Sequence, residues 1–173
     1  RGGSSFGGGP GSGMGILFEY DLASGAYINK QNFLGNNGSL PYGSLIQASN
    51  GKLYGMTSEG GANNLGVIFE FDLNTNIYTK KIDMTKAIGS RPLGSFVEAA
   101  PGKLLACVTT GATTGAGPGT GGIIEYDFNT NTYITKIVFV DSTGITSEGD
   151  LVKATGDGKY YGLTRAGGLN AVG

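Results

Sequence analysis

The stretch GVIFEFDLNTNIYTKKIDM, residues 66–84, contains an alternating strand, a tight turn and a second strand. Near-copies are GILFEYDLASGAYINKQNF at residues 15–33 and GGIIEYDFNTNTYITKIVF at residues 121–139. In residues 67–73 apolar and polar side chains alternate, which predicts a strand with two different faces. One face carries Val67, Phe69, Phe71 and Leu73, and the other carries Ile68, Glu70 and Asp72.

Three separate features recur at nearly the same interval along the chain. Glycines that begin a Gly-x-apolar-apolar pattern recur at steps of 51 and 55, and Gly-Lys pairs at steps of 51 and 56. An acidic pair follows the same period. The three sets are Gly43, Gly94 and Gly149; Lys52, Lys103 and Lys159; and Glu19/Asp21, Glu70/Asp72 and Glu125/Asp127. Their agreement indicates a tandem repeat.

Each complete unit contains four short strand patterns separated by turn signals. Asn50-Gly51 and Asp157-Gly158 predict type I′ hairpin turns, in which both central residues have positive φ. Pro101-Gly102 predicts a type II turn. We find no long segment with the spacing of an amphipathic helix.

These observations predict an all-β fold made of β-propeller-like blades of four antiparallel strands, with three repeats of about 51–56 residues. Residues 1–173 then form a single repeat domain with units at 1–42, 43–93, 94–148 and 149–173. The first and last units are incomplete, so we expect the chain to be part of a larger propeller with four to eight blades. A β-solenoid or stacked sandwich of the same hairpins is the alternative fold.

The composition narrows the classes of function. Of the 173 residues 34 are glycine, 39% are hydrophobic and 14% are charged, with a net charge of −1. This chain lacks the basic surface that nucleic acid requires and the apolar run of about 20 residues that a membrane helix requires. Cys107, the only cysteine, lies among apolar residues and is interpreted as a buried thiol.

The sequences Asp72-x-Asn74-x-Asn76 and Asp127-x-Asn129-x-Asn131 match the first half of a calcium-binding loop. They lack its later glycine and glutamate, and the first unit has Ala23-Ser24-Gly25 instead. An aspartate that hydrogen-bonds its own turn explains all three copies. We therefore predict turns and no metal or cofactor.

The other patterns that suggest chemistry have structural explanations. The repeated Glu and Asp pairs lie about 7 Å apart on one strand face, but an active site is normally unique. We predict that they form a solvated face that pairs with Lys30, Lys80 or Lys136. The glycine runs lack the Ser or Thr that follows Gly-Lys in a phosphate-binding loop. The absence of histidine excludes a Ser-His-Asp triad within these residues.

Loop lengths differ mainly in the glycine-rich connection between the second and third strands of each unit. Because strand direction alternates, this connection and the connection between units lie at one end of the sheets. We call this the loop end, and the opposite end, where the short hairpin turns lie, the turn end. Variable loops on a rigid sheet are typical of binding surfaces. The predicted ligand-binding residues are Arg1, Phe6, Glu59, Asn63, Asn64, Arg91 and Arg165.

The segment GKLYGMTSEGGANNLGVIFEFD, repeated in part as GKYYGLTRAGGLNAVG, resembles the GloVer-type tandem repeat of secreted or surface-anchored bacterial proteins. The resemblance covers essentially the whole chain and is weaker where Leu105, Ala106 and Cys107 replace the Tyr-Gly-x motif. It implies propeller-like domains, an extracellular or cell-surface location, and an adhesive or scaffolding role. It implies no catalytic residues.

Three functions are consistent with these patterns. The first is a non-catalytic module that binds protein or glycan at the cell surface through the loop end. The second is a propeller enzyme acting on carbohydrate, with catalytic residues partly outside this segment and Glu148 as the one suggestive acidic loop residue. The third is a structural repeat of a surface filament. In each case the remaining blades would come from the same longer chain or from neighbouring chains.

Overall fold

The computed structural model describes residues 13–112 and 120–168, and they form β-strands joined by turns. The first unit contributes an antiparallel pair, β1 (Ile16–Tyr20) and β2 (Tyr27–Asn32). The second unit is a four-stranded sheet in chain order, with strands β3 (Ile46–Gln47), β4 (Leu53–Thr57), β5 (Val67–Asp72) and β6 (Ile77–Asp83).

The third and fourth units continue the pattern. The third is a sheet of β7 (Val97–Ala100), β8 (Lys103–Val108), β9 (Gly122–Asp127) and β10 (Thr132–Val138). After a short 3₁₀ turn at Asp141–Thr143, the fourth unit supplies β11 (Val152–Lys153) and β12 (Tyr160–Tyr161). All pairings within the sheets are antiparallel. The predicted all-β fold of four-stranded, propeller-like blades is confirmed. In the described residues no helix is long and apolar enough to cross a membrane.

The sheets of neighbouring units pack face to face, and the main core lies between the second and third units. From the second unit this core receives Tyr54, Met56, Ile68 and Met84, and from the third unit Phe96, Leu104, Val108, Ile124 and Tyr126. A smaller core of Phe33, Val67 and Phe69 joins the first and second units. Because β5 has a neighbouring unit on each side, both of its faces are buried. The alternation in residues 67–72 therefore separates two interfaces. The predicted solvated face is wrong for Glu70 in the second unit, whereas Glu19 and Asp21 of the first unit are exposed as predicted.

The first strands of successive units approach each other closely. The amide of Ser44 donates to Ser95 Oγ, and the amide of Ser95 donates to Asp150 Oδ1. These residues occupy the same position in consecutive units, so each unit supplies a side-chain acceptor to the unit before it. Glycine precedes each of them, at Gly43, Gly94 and Gly149.

The short hairpin turns differ in type from the prediction. At Asn50-Gly51 and Asp157-Gly158 only the glycines have positive φ, at +82° and +68°, so neither turn is type I′. The Gly51 amide donates to the Ala48 carbonyl, and the Ala48 amide donates to the Lys52 carbonyl. This is a longer turn that ends in a left-handed glycine, the usual alternative for hairpins. The positive φ of Gly102, +91°, is consistent with the predicted type II turn.

A β-bulge recurs in the fourth strand of the first three units. The register shifts between Leu17 and Phe18, between Ile68 and Phe69, and between Thr135 and Ile137. The residue left without a direct partner is Lys30, Lys81 or Lys136, a lysine at the same repeat position each time. A bulge re-aims the extra side chain. Here each bulge lysine comes within salt-bridge distance of the glutamate on the neighbouring strand, at 3.0, 3.9 and 3.4 Å.

Candidate functional site

The loop end is tied together by hydrogen bonds between consecutive units. Isolated antiparallel bridges join Ser39 to Glu59, Ser90 to Thr110, and Ile145 to Ala166. In each bridge the first residue lies after the fourth strand of one unit. The second residue lies in the loop after the second strand of the next unit. The loops therefore rest on a backbone frame that repeats from unit to unit.

A residue in the left-handed region lies next to each bridge, although none of these residues is glycine. Leu40, Arg91 and Thr146 have φ of +54°, +54° and +58°. The Arg91 amide donates to the Leu65 carbonyl of its own unit, and the Arg91 carbonyl accepts from Thr109 of the next unit. Leu40 and Thr146 make equivalent backbone bonds. Hydrogen bonds to the amide and to the carbonyl of each residue hold its unfavourable φ in place. No local sequence pattern predicts this positive φ.

Two of the predicted ligand-binding residues form an ion pair on this frame. The Arg91 guanidinium lies 3.5 Å from the Glu59 carboxylate, and about two fifths of each side chain is exposed. At the next junction Arg165 lies 3.0 Å from Glu148. The Arg165 side chain is more exposed than its partner. Glu148, singled out above as a possible catalytic acid, is thus an exposed residue paired with an arginine.

The predicted asparagines stabilise their own loop. Asn63 Nδ2 donates to the Met84 carbonyl, and Asn64 Oδ1 accepts from the Gly60 amide. Asn64 also has a φ of +52°, which asparagine tolerates better than most residues. Arg1 and Phe6 lie outside the described residues, as does the glycine-rich segment 113–119. Of the five predicted residues that the structure describes, Glu59, Arg91 and Arg165 keep partly exposed charged groups at the loop end.

The acidic pairs lie at the turn end and are structural. Glu70 is only 8% exposed and accepts hydrogen bonds from Lys52 Nζ at 2.8 Å and from the Tyr54 hydroxyl at 2.6 Å. The predicted partner Lys80 lies opposite Phe69 and contacts Asp83 at 2.8 Å, whereas Lys81 lies 3.9 Å from Glu70. The predictions for the other two units were correct, since Lys30 contacts Glu19 and Lys136 contacts Glu125.

The Asp-x-Asn-x-Asn segments form the predicted turns. Asp72 Oδ1 accepts from the amides of Asn74 and Thr75, and Asp127 makes the same bonds with the amides two and three residues later. Asn76 and Asn131 have positive φ, as does Gly25 in the first unit. Within residues 13–112 and 120–168 no group of three His, Cys, Asp or Glu side chains comes together in a way that could hold a metal ion.

Hydrogen bonds lower the pKa of several of these carboxyl groups. Partial burial raises the pKa of Glu70, but the hydrogen bonds from Lys52 and Tyr54 outweigh it, and the pKa lies below the ordinary 4.5. The backbone amide of Asn74 lowers the pKa of Asp72, and the Lys103 ammonium lowers that of Asp127. A carboxyl whose pKa is lower in the folded chain adds stability above its unfolded pKa.

We therefore expect stability to be nearly constant down to about pH 5 and to fall as the pH drops through the folded pKa values. Glu70→Gln should reduce the free energy of unfolding at pH 7 by about 1.5–3 kcal/mol, because it removes a charged acceptor from Lys52 and Tyr54. The same substitution should also reduce the dependence of the free energy of unfolding on pH below about pH 5. Urea unfolding at a series of pH values measures both effects.

Glu148→Gln is the matched control for this prediction. Its carboxylate is exposed and pairs with Arg165, so the change should stay within about 0.5 kcal/mol. Equal effects of the two substitutions, or an unchanged acid profile for Glu70→Gln, would contradict a structural role for Glu70.

A series of four-stranded antiparallel sheets, stacked face to face at a fixed sequence period, defines a propeller-like repeat protein. The family model of the Gloeobacter/Verrucomicrobia repeat matches residues 2–173, so the chain belongs to that repeat family. Among solved structures, the crystal structure of TolB from Acinetobacter baumannii is similar, with 14% identity and a TM-score of 0.46. The match covers 84% of this chain and 33% of TolB. No curated protein matches the sequence.

Proposed function

We propose that this chain is a non-catalytic binding module of a secreted or cell-surface bacterial protein, and that it binds at the loop end. The observation that carries the proposal is the placement of Arg91 and Arg165. Both guanidinium groups are exposed, each is held by one carboxylate, and both lie on loops anchored by backbone bonds between units. A rigid frame lowers the entropy lost when a ligand binds.

The chemistry of these side chains favours a ligand that carries carboxylates. A guanidinium binds a carboxylate through two parallel N–H···O bonds, and Glu59 or Glu148 can give way to such a group because exposed ion pairs contribute little. A surface polymer with many carboxylates, either an acidic glycan or an acidic protein segment, could contact both junctions at once. Once the polymer is bound at one junction, the second junction meets it at a high effective concentration. Two weak contacts can therefore give a higher overall affinity than either contact alone.

Titration with soluble polymers tests this proposal. Alginate and poly-L-glutamate supply closely spaced carboxylates, and dextran is a neutral polymer for comparison. We expect an acidic polymer to bind and dextran not to bind. The double substitution Arg91→Asn and Arg165→Ala should weaken the binding roughly tenfold or more. Asparagine is chosen at position 91 because it tolerates the left-handed backbone.

The matched control is Lys30→Ala with Lys136→Ala, which removes the same charge from the outer strands. This control should leave the affinity within about twofold, apart from the general electrostatic effect that added salt reveals. Equal weakening by the two double variants would overturn the assignment to the loop end. No binding to either acidic polymer would also overturn it, and release of new reducing ends from alginate would indicate an enzyme.

A further inference from the structure

The sequence contains two Asn-Gly pairs, Asn37-Gly38 and Asn50-Gly51. An asparagine that precedes glycine is especially prone to deamidation, because glycine has no side chain to obstruct the approach of its own amide nitrogen to the asparagine side chain. The structure places the two pairs in different surroundings. One pair is enclosed by packed residues, and the other lies at the exposed tip of a hairpin.

Asn37-Gly38 is the enclosed pair, in the connection between the first and second units. The Gly38 amide donates to the Gly35 carbonyl, and the Gly35 amide donates to the Gly38 carbonyl. The Asn37 carbonyl accepts from the Tyr78 hydroxyl at 2.6 Å. A Cβ at Gly38 would lie 2.8 Å from two side-chain atoms of Thr57. The peptide bond that would have to turn for deamidation is therefore fixed on both sides.

Asn50-Gly51 is the exposed pair, in the hairpin between β3 and β4 at the turn end of the second unit. Both residues are exposed, and a Cβ at Gly51 would meet no atom within 4 Å. The Gly51 amide donates to the Ala48 carbonyl within the same short turn. Local opening of an exposed turn costs less free energy than opening of a packed segment. The Gly51 nitrogen can therefore be released without disturbing the rest of the blade.

Two neighbouring groups bond the side chain of Asn50. The Lys52 amide donates to Asn50 Oδ1 at 3.1 Å, and Asn50 Nδ2 donates to the Tyr54 hydroxyl oxygen at 2.9 Å. A donor at Oδ1 stabilises the negative charge that develops on that oxygen when a nucleophile adds to Cγ. The carboxamide is thus polarised for attack by the amide of the following glycine.

We propose that Asn50 is a site of spontaneous deamidation in the folded protein. The Gly51 nitrogen gives up its proton to water or hydroxide and bonds to Asn50 Cγ. The bond from Cγ to Nδ2 then breaks, and the leaving nitrogen takes a proton from water and departs as ammonia. Water adds to the cyclic imide and opens it at either carbonyl, which leaves aspartate or isoaspartate at position 50. Water is the co-reactant of the whole sequence.

The equivalent turns of the next two units contain an unreactive residue and a residue that matches the product. Pro101 of the third unit has no carboxamide, and Asp157 of the fourth unit has the side chain that deamidation of Asn50 would produce. The Lys159 amide donates to Asp157 Oδ1 at 2.9 Å, just as the Lys52 amide donates to Asn50. The turn therefore accommodates a carboxylate at this repeat position.

A carboxylate at position 50 has a further effect, because Glu70 bonds the same tyrosine. In the fourth unit the Tyr161 hydroxyl donates to Asp157 Oδ2 at 3.0 Å. The Tyr54 hydroxyl instead donates its proton to Glu70 at 2.6 Å, so it has no proton for a carboxylate at position 50. Deamidation replaces a donor by an acceptor and adds a negative charge near the buried Glu70. We expect this change to weaken the packing of the second unit.

Timed incubation of the purified chain in mildly alkaline buffer, followed by peptide mapping with mass spectrometry, tests the site. Fragment spectra locate the change from carboxamide to carboxylic acid, and a protein isoaspartate methyltransferase labels any isoaspartate. In the folded chain Asn50 should convert roughly tenfold or more faster than Asn37, because reaction at Asn37 must first break several hydrogen bonds. The chain unfolded in urea is the control, in which the two rates should be similar.

Equal rates at Asn37 and Asn50 in the folded chain would overturn the proposal, since both pairs would then react through global unfolding. An unmodified Asn50 would also overturn it, if the chain unfolded in urea has converted at that position over the same period.

A second experiment tests the consequence for stability. Asn50→Asp supplies the product directly and should lower the urea midpoint relative to Asn50→Ser, a neutral variant that keeps an oxygen to accept from the Lys52 amide. The added change Glu70→Gln should remove most of this difference, because the Tyr54 hydroxyl is then free to donate to the new carboxylate. Equal midpoints for the aspartate and serine variants would overturn the proposed effect on Glu70. Neither experiment involves the loop end, so their outcomes leave the proposed binding function as it stands.

Discussion

Replacing Tyr54 with alanine is expected to lower the free energy of unfolding by about 3–5 kcal/mol, the cost typical of a fully buried aromatic side chain. Tyr54 has no exposed surface. Its ring stacks on Phe128 of the next unit, with centroids 5.1 Å apart, and lies 6.1 Å from Tyr126. The same side chain donates to Glu70 and accepts from Asn50. The substitution therefore opens a cavity between two blades and removes a donor from a buried carboxylate.

Two other substitutions at this position separate packing from hydrogen bonding. Tyr54→Phe keeps the ring but removes the hydroxyl that donates to Glu70, so it should cost about 1–3 kcal/mol. Tyr54→Leu introduces the residue that the third unit has at the equivalent position, Leu105, and should fall between the phenylalanine and alanine variants. Urea unfolding at one fixed protein concentration measures all three.

The control is Tyr161→Ala, at the same repeat position in the fourth unit. Tyr161 is more than half exposed, and its hydroxyl donates to the exposed Asp157 carboxylate. We expect a change within about 1 kcal/mol. If Tyr54→Ala were no more costly than Tyr161→Ala, the packing between the second and third blades would not be the main source of stability.

Much of this architecture follows from the period of the sequence. The recurring acidic pair and the Gly-Lys turns correctly predict four strands per complete unit, their antiparallel order and the two ends of the sheets. Chain direction alone brings Glu59 and Arg91 to the same end, although 32 residues separate them. These features depend on strand direction and repeat length, which a sequence records directly.

Features that depend on the neighbouring unit could not be predicted in the same way. The alternation around Glu70 is real, but whether its face meets solvent or another blade is decided by packing of the third unit. The predicted partner Lys80 lies opposite Phe69, and Thr79 lies opposite Glu70, so alternation places Lys80 on the other face of the strand pair. Comparison of the copies would have revealed Lys81 instead, since Lys30, Lys81 and Lys136 share one repeat position.

The left-handed residues at the loop end show a further limit. Leu40, Arg91 and Thr146 have little chemistry in common, and none is the glycine or asparagine that usually marks positive φ. Their conformation is imposed by backbone bonds to the unit before and the unit after. A prediction of such positions needs the three-dimensional contacts.

The second large effect is expected at Gly94, where adding one methyl group should destabilise the chain by about 1–3 kcal/mol or more. A Cβ at Gly94 would lie 2.5 Å from the carbonyl oxygen of Gly149 and 2.8 Å from Asp150 Oδ1. Neither Gly94 nor Gly149 has a left-handed φ, so backbone strain does not enter. The expected loss of stability comes from pushing apart the two segments that lead into β7 and β11, which would also stretch the bond from the Ser95 amide to Asp150.

Gly149→Ala is the matched control, because a methyl group at Gly149 meets no atom within 4 Å. Alanine in place of glycine at a compatible position reduces the entropy of the unfolded chain, so this variant should be unchanged or more stable by about 0.4–1 kcal/mol. Chemical unfolding of the two variants at the same protein concentration compares them directly. Opposite signs at equivalent glycines would demonstrate that consecutive blades are in backbone contact where their first strands begin. Equal effects would contradict that contact and, with it, the close stacking on which the rigid frame of the loop end depends.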